Sequence, residues 1–147
     1  MNNINILVVE DDADINNLLC GIIQRNGYST RSAFSGSEAE MYLKLYDYQL
    51  VLLDLMLPAV TGEELIEKIR RVRIMPIIVI SAKSAPETKI IRNYLERKLN
   101  YETNKIICIQ ASGYIFGAYI LFGRASLFNI IKTGLRFFDT IHGYEKG

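Results

Sequence analysis

The chain has no tryptophan, only three prolines and only two cysteines among its 147 residues, and no excess of either charge. The cysteines, Cys20 and Cys108, stand apart among apolar neighbours. Neither belongs to a CxxC pair or a Cys/His cluster, which argues against a zinc site and for two buried free thiols in a reducing cytoplasm. Lysine and arginine number 17 against 16 aspartates and glutamates, so no global basic field exists to drive nucleic-acid binding. Ten glycines without a period and few prolines exclude a collagen-like chain. Hydrophobic residues make up 50% of the sequence, enough to offset chain entropy and exclude general disorder. The N-terminus leads directly into a short apolar run with no basic region or cleavage site, and no secretion signal is read there.

What is present alternates. Ile4 to Val9 is short, rich in β-branched residues and apolar throughout, as in a strand buried on both faces. Glu10-Asp11-Asp12 ends it, and Ile15, Leu18, Leu19, Ile22 and Ile23 follow at helical spacing, with Asp12 or Asp14 as cap and Gly27 past the end. Tyr28 to Ala33 is a second strand and Gly36 opens a helix through Tyr46. Leu50 to Leu53 is a third strand ending at Asp54, and Glu63 to Arg71 is amphipathic. Pro76 to Ile80 is a fourth strand ending at Ser81, Pro86 starts a helix to about Leu99, and Lys105 to Gln110 is the fifth strand. This order predicts an α/β fold with a doubly wound, parallel five-stranded sheet and right-handed crossovers.

The C-terminal part is different in kind. Gly113, Gly117, Gly123 and Gly134 interrupt apolar sequence, with helix expected only over Leu127 to Phe138. The uncharged stretch from Ile106 to Gly123, between Lys105 and Arg124, has the length of a membrane span. Gln110, Ser112 and the glycines weaken that use; a buried strand followed by a packed loop or helix is the favoured reading, with membrane association as the alternative.

The strand ends carry the chemistry. Glu10 and Asp11, Asp54 and Ser81 each follow a buried strand, and in a doubly wound sheet such ends share one rim, where ligands bind at the point of reversal in strand order. Carboxylates brought together there repel unless a cation lies among them, and such oxygen ligands suit Mg²⁺. Any one of these acids could instead be a helix cap. Pro58 and Gly62 could shape the loop after Asp54 or merely form a turn and a helix start.

The combination of Val-Val-Glu-Asp-Asp, Leu-Leu-Asp-Leu-Met-Leu-Pro-Ala-Val-Thr-Gly-Glu-Glu-Leu and Ile-Ser-Ala-Lys at successive strand ends resembles the receiver domain of bacterial two-component response regulators. The resemblance runs from Ile4 to about Ile91 and is nearest to regulators with a winged-helix output domain. It implies a flavodoxin-like receiver fold, a phosphoryl group accepted on Asp54 from a sensor histidine kinase, and cytoplasmic signalling rather than enzymatic turnover. It also implies Mg²⁺ bound by Asp11, Asp54 and the backbone carbonyl of Met56, with Glu10 acting through a metal-bound water and Ser81 as the switch hydroxyl. The family's Gly-Ala-Asp-Asp-Tyr run and Lys-Pro pair have no counterpart after Ile91. The phosphoryl-contacting lysine is therefore unassigned: Lys105 is the nearest candidate, while Lys83 and Lys132 read as surface lysines.

The expected organisation is a receiver over residues 1–110 and an atypical apolar segment over 111–147 with no recognisable output domain and no expected contact with nucleic acid. That segment is expected to drive homo-oligomer formation. Two other readings stay open at this stage: a receiver-like binding or dimerisation module without productive phospho-switching, and a truncated or frameshifted fragment of a DNA-binding transcriptional regulator.

Overall fold

In the computed structural model, residues 3–71, 73 and 75–80 are described together with the backbone of 81 and 106–110. Five strands form one parallel sheet in the order β2-β1-β3-β4-β5. They are β1 (Asn5–Val9), β2 (Ser29–Ala33), β3 (Leu50–Asp54), β4 (Ile77–Ser81) and β5 (Ile106–Gln110), with α1 (Ala13–Arg25), α2 (Gly36–Leu45) and α3 (Gly62–Arg70) between the first four. The expected five-stranded doubly wound sheet is present. Strand boundaries agree with the sequence reading to within a residue; the helix expected from Pro86, the segment 111–147, Lys83, Lys105 and Lys132 lie outside the described residues.

The sheet is covered on both faces, which is why its strands carry continuous apolar runs rather than alternating ones. Leu7, Val9, Val51, Leu53, Ile77 and Val79 point to one side, against Leu43 of α2 and Leu65, Ile66 and Ile69 of α3. Ile6, Val8, Leu50, Leu52, Ile78 and Ile80 point to the other, against Leu19, Cys20, Ile22 and Ile23 of α1. Cys20 is a buried free thiol; the side chain of Cys108 lies outside the described residues. Strand β2 is at the sheet edge and is more polar, and its Arg31 lies over the rings of Tyr42 (4.9 Å) and Tyr46 (4.5 Å).

Each helix begins on a local signal that satisfies its free amides. The Asp12 carboxylate accepts from the amides of Asp14 and Ile15 at 2.9 and 3.0 Å. Of the two caps the sequence allowed for α1, Asp12 is the one used. Ser35 caps α2 by accepting from the Glu38 amide at 3.1 Å, and Thr61 and Glu64 form a reciprocal capping box at the start of α3. Gly27, just past α1, has φ +88°, the left-handed conformation that ends a helix most cheaply with glycine.

Register places the rim. Val9 of β1 pairs with Leu53 of β3, so the residues one step further are Glu10 and Asp54. Asp54 in turn pairs with Ile80, one residue before Ser81. Because β2 lies on one side of β1 and β3 on the other, the strand order reverses between β1 and β3, and the acidic residues stand at that switch point.

Candidate functional site

Three carboxylates meet at the C-terminal ends of β1 and β3. Glu10, Asp11 and Asp54 can each place an oxygen within 4.8 Å of the others. Glu10 is only 7% exposed, Asp54 is half-buried and Asp11 faces solvent, so the cluster is a pocket with a closed floor and an open mouth.

The backbone fixes two of the three side chains. The Asp12 amide donates to Glu10 Oε1 at 3.0 Å, and the Met56 amide donates to Asp54 Oδ1 at 3.0 Å. Each bond favours the ionised carboxylate, yet both groups are shifted the other way. Burial, which strips water from the charge, pushes Glu10 from 4.5 up to about 8, against the Asp12 amide and helped by the charges of Asp54 and Asp11. Burial also raises Asp54, opposed by the Met56 amide and by hydrogen bonding with Glu10. Without a cation the two carboxyls therefore hold protons more tightly than free ones do.

A divalent cation would remove the conflict that produces these shifts. The donor set is all oxygen, few in number and open on one side, which fits Mg²⁺ with several retained waters better than it fits a metal that needs nitrogen or sulfur ligands. The residues present thus fit the group that the sequence implied.

Among the residues singled out in sequence, the structure brings Glu10, Asp11 and Asp54 together. Met56 follows Asp54 with its amide on the Asp54 carboxylate and its side chain exposed. Ser81 closes β4 one residue beyond the partner of Asp54; its side chain lies outside the described residues, as does Lys105.

Three features go beyond what the sequence assigned. Gly62 is more than a helix start: a Cβ there would come within 2.5 Å of Leu55 Cα and 3.0 Å of the Asp54 carbonyl oxygen. Its amide donates to the Leu55 carbonyl at 3.2 Å. Ala59, in the same loop, has φ 67°. Asn16, in α1, is fully buried, with its side-chain nitrogen on the carbonyls of Val8, Glu10 and Ala33. An amide on an otherwise apolar helix face was the available signal for Asn16; the other two depend on loop geometry that spacing does not carry.

A model of the response regulator receiver domain family matches residues 6–106. The chain belongs to that family. Receivers are signalling domains of two-component systems; they interact with histidine kinases and typically bind Mg²⁺ at an acidic pocket. The match extends past the motif-bearing region into β5.

Curated relatives include the transcriptional regulatory protein ResD of Bacillus subtilis, 37% identical over 89 residues (60% of this chain and 37% of ResD). The response regulator ArlR of Staphylococcus aureus is 34% identical over 85 residues, 58% of this chain and 39% of that protein. The chain thus spans little more than a third of the length of these relatives. Among solved structures, a receiver domain protein from Methanospirillum hungatei superposes with a TM-score of 0.73 at 21% identity, covering 95% of this chain and 98% of that one. TrrA of Thermotoga maritima, solved with Mg²⁺ and BeF, gives 0.63 at 25% identity over 90% of this chain and 99% of TrrA. Among the described residues, no helix is long and apolar enough to cross a membrane.

Proposed function

We propose that the chain is a phosphoaccepting receiver in which Asp54 takes a phosphoryl group from the phosphohistidine of a sensor kinase. The observation that carries this reading is the convergence of Glu10, Asp11 and Asp54 within 4.8 Å at the switch point of the sheet. Asp54 attacks through a carboxylate oxygen: a phosphorus–oxygen bond forms, the phosphorus–nitrogen bond to histidine breaks, and the imidazole retains the electron pair and takes a proton. The Met56 amide holds the other side of the nucleophile by its bond to Oδ1, which fixes the direction of attack.

Asp11, Asp54 and the Met56 backbone carbonyl would hold Mg²⁺, with Glu10 acting through a bound water. The cation, when bound, neutralises charge on the transferring phosphoryl oxygens. Ser81, at the end of β4, is the hydroxyl that would bond the new phosphoryl group and draw its loop inward. The lysine that contacts that group in the family is left without an assignment, Lys105 being its nearest candidate.

In this reading residues 1–110 form the receiver, and the apolar segment 111–147 supports self-association, since side chains such as Ile115, Phe116 and Leu121 exceed what one receiver sheet can cover. In this reading the receiver acts in the cytoplasm as a signalling domain, and the description of its longer relative ResD as a transcriptional regulatory protein supports an output in transcriptional control. Incubation of the full chain with Mg²⁺ and a small phosphodonor, followed by intact mass, tests the central claim. One phosphoryl group on the wild type and none on Asp54→Asn is the expected result. Unmodified wild type, or an Asp54→Asn variant modified equally, overturns it. Light scattering tests the accompanying claim, and a monomer at micromolar concentration rejects self-association.

A further inference from the structure

Asn16 is the fourth residue of α1 and is 0% exposed, on the face that otherwise presents Leu19, Cys20 and Ile23 to the sheet. A carboxamide buried in apolar surroundings is costly unless its hydrogen bonds are made. Its Nδ2 donates to the Glu10 carbonyl at 3.0 Å and reaches those of Val8 and Ala33 at 3.4 Å each. Two hydrogens serve three oxygens, and the shortest bond goes to Glu10. Its Oδ1 accepts from the Cys20 thiol at 3.3 Å.

Those three carbonyls lie where the β1–β2 ladder ends. Val9 and Ala33 are its last paired residues, and Glu10 leaves the sheet with its amide still donating to the Ala33 carbonyl at 3.0 Å. Asn16 therefore grips the chain on either side of Val9 and ties it to β2. The Glu10 side chain is tethered separately, by the Asp12 amide at 3.0 Å. Asp12 in turn caps the helix that carries Asn16. A closed circuit results, in which one helix fixes the main chain of Glu10 through Asn16 and its carboxylate through Asp12.

We propose that Asn16 is a positioning residue for the acidic pocket: by holding the end of β1 it sets where Glu10 and Asp11 stand relative to Asp54, and so sets the affinity for Mg²⁺. The inference rests on the reading of that pocket as a metal site. Asn16 does not join the cluster itself, because its donor is taken by carbonyls and its acceptor by Cys20. Removing the donor takes away the 3.0 Å bond that holds the Glu10 carbonyl to α1, and the chain between β1 and α1 relaxes away from Asp54.

The test is a titration of the full-length protein with MgCl₂, followed by the backbone amide signals of Glu10 and Asp11. Asn16→Leu keeps the size of the side chain and removes the donor. It is expected to fold, to show displaced Glu10 and Asp11 signals before any metal is added, and to bind Mg²⁺ roughly ten-fold more weakly. Leu19→Ala, on the same helix face, should lower thermal stability and leave Mg²⁺ affinity at the wild-type value. Equal affinity in wild type and Asn16→Leu overturns the proposal, as does an equal loss in Leu19→Ala. If Asn16→Leu does not fold, the Asn16 side-chain amide protons of the wild type decide: slow exchange with a shift on adding Mg²⁺ supports the role, and no shift overturns it. A wild type that binds no Mg²⁺ overturns the metal reading itself, an outcome distinct from wild-type binding that Asn16→Leu preserves.

Discussion

The first residue of α3, Gly62, sits so close to Leu55 that a Cβ would lie 2.5 Å from the Leu55 Cα and 2.8 Å from its Cδ2. The helix thus rests directly on the backbone that follows Asp54, and the Gly62 amide bonds the Leu55 carbonyl across the contact. No side chain can be fitted without moving one of the two. Gly62→Ala is expected to lower stability by about 1–3 kcal/mol, the usual cost of forcing atoms into a packed site. On the proposed function it should also slow phosphoryl uptake at Asp54, because the displaced backbone is the one that follows Asp54. Denaturant unfolding and phosphorylation by a small donor measure the two effects, and an alanine variant with wild-type values in both would show that the contact yields freely.

Ala59 offers the opposite experiment. Its φ of 67° is left-handed, where a Cβ costs roughly 1–2 kcal/mol and glycine pays no such penalty. Glycine also makes the unfolded chain more flexible, which takes back about 0.4–1 kcal/mol. Ala59→Gly is therefore expected to raise stability by a net of about 0.5–1 kcal/mol. A shift of the denaturation midpoint to lower denaturant would mean that the loop relies on the alanine methyl for packing.

The sheet and its acidic rim were legible because the signals for them are local and redundant. Val8-Val9 before Glu10-Asp11 and Leu52-Leu53 before Asp54 each state a buried strand and its end, and the order of a doubly wound sheet then brings the ends together. The buried role of Asn16 was not legible in this way. Three residues before Leu19 and four before Cys20, it falls on the buried face of α1, but that spacing does not say what its amide bonds, and its partners are carbonyls from three places in the chain. The close approach at Gly62 and the conformation of Ala59 were hidden for a related reason: both are set by how α3 meets β3, a tertiary relation that the loop sequence does not encode by pattern.

Adjacent acids with different tasks make a sharp mutational contrast. Asp12 spends its carboxylate on the amides of Asp14 and Ile15, while Asp11 contributes to the cluster. Asparagine is as good a helix cap as aspartate, so Asp12→Asn is expected to keep both stability and Mg²⁺ affinity. Asp11→Asn should weaken Mg²⁺ binding with little loss of stability, since Asp11 is exposed. Asp12→Ala should cost about 1 kcal/mol through the lost cap. Calorimetric titration with MgCl₂ beside thermal unfolding separates the three, and equal metal affinity in wild type and Asp11→Asn would remove Asp11 from the site.

The same cluster makes stability depend on pH in a direction set by Glu10. Burial, with the charges of Asp54 and Asp11 beside it, holds the Glu10 carboxyl at about 8 in the folded chain, against 4.5 for a free glutamate. Between those values the folded state keeps a proton that the unfolded state has lost, so stability must fall as pH rises through the window and level off above about 8. Asp54, raised for the same reason, contributes in the same direction at the acidic end. Bound Mg²⁺ would take the place of the proton, so metal should stabilise little where Glu10 is protonated and most where it is ionised. Thermal unfolding in EDTA and in excess MgCl₂, at about pH 6 and about pH 9, is the direct measurement. The metal-free protein should unfold at the lower temperature at the higher pH, the gain from Mg²⁺ should be larger there, and Glu10→Gln should flatten the metal-free slope. A metal-free stability that rises across this range, or a slope unchanged in Glu10→Gln, would place the controlling ionisation elsewhere in the protein.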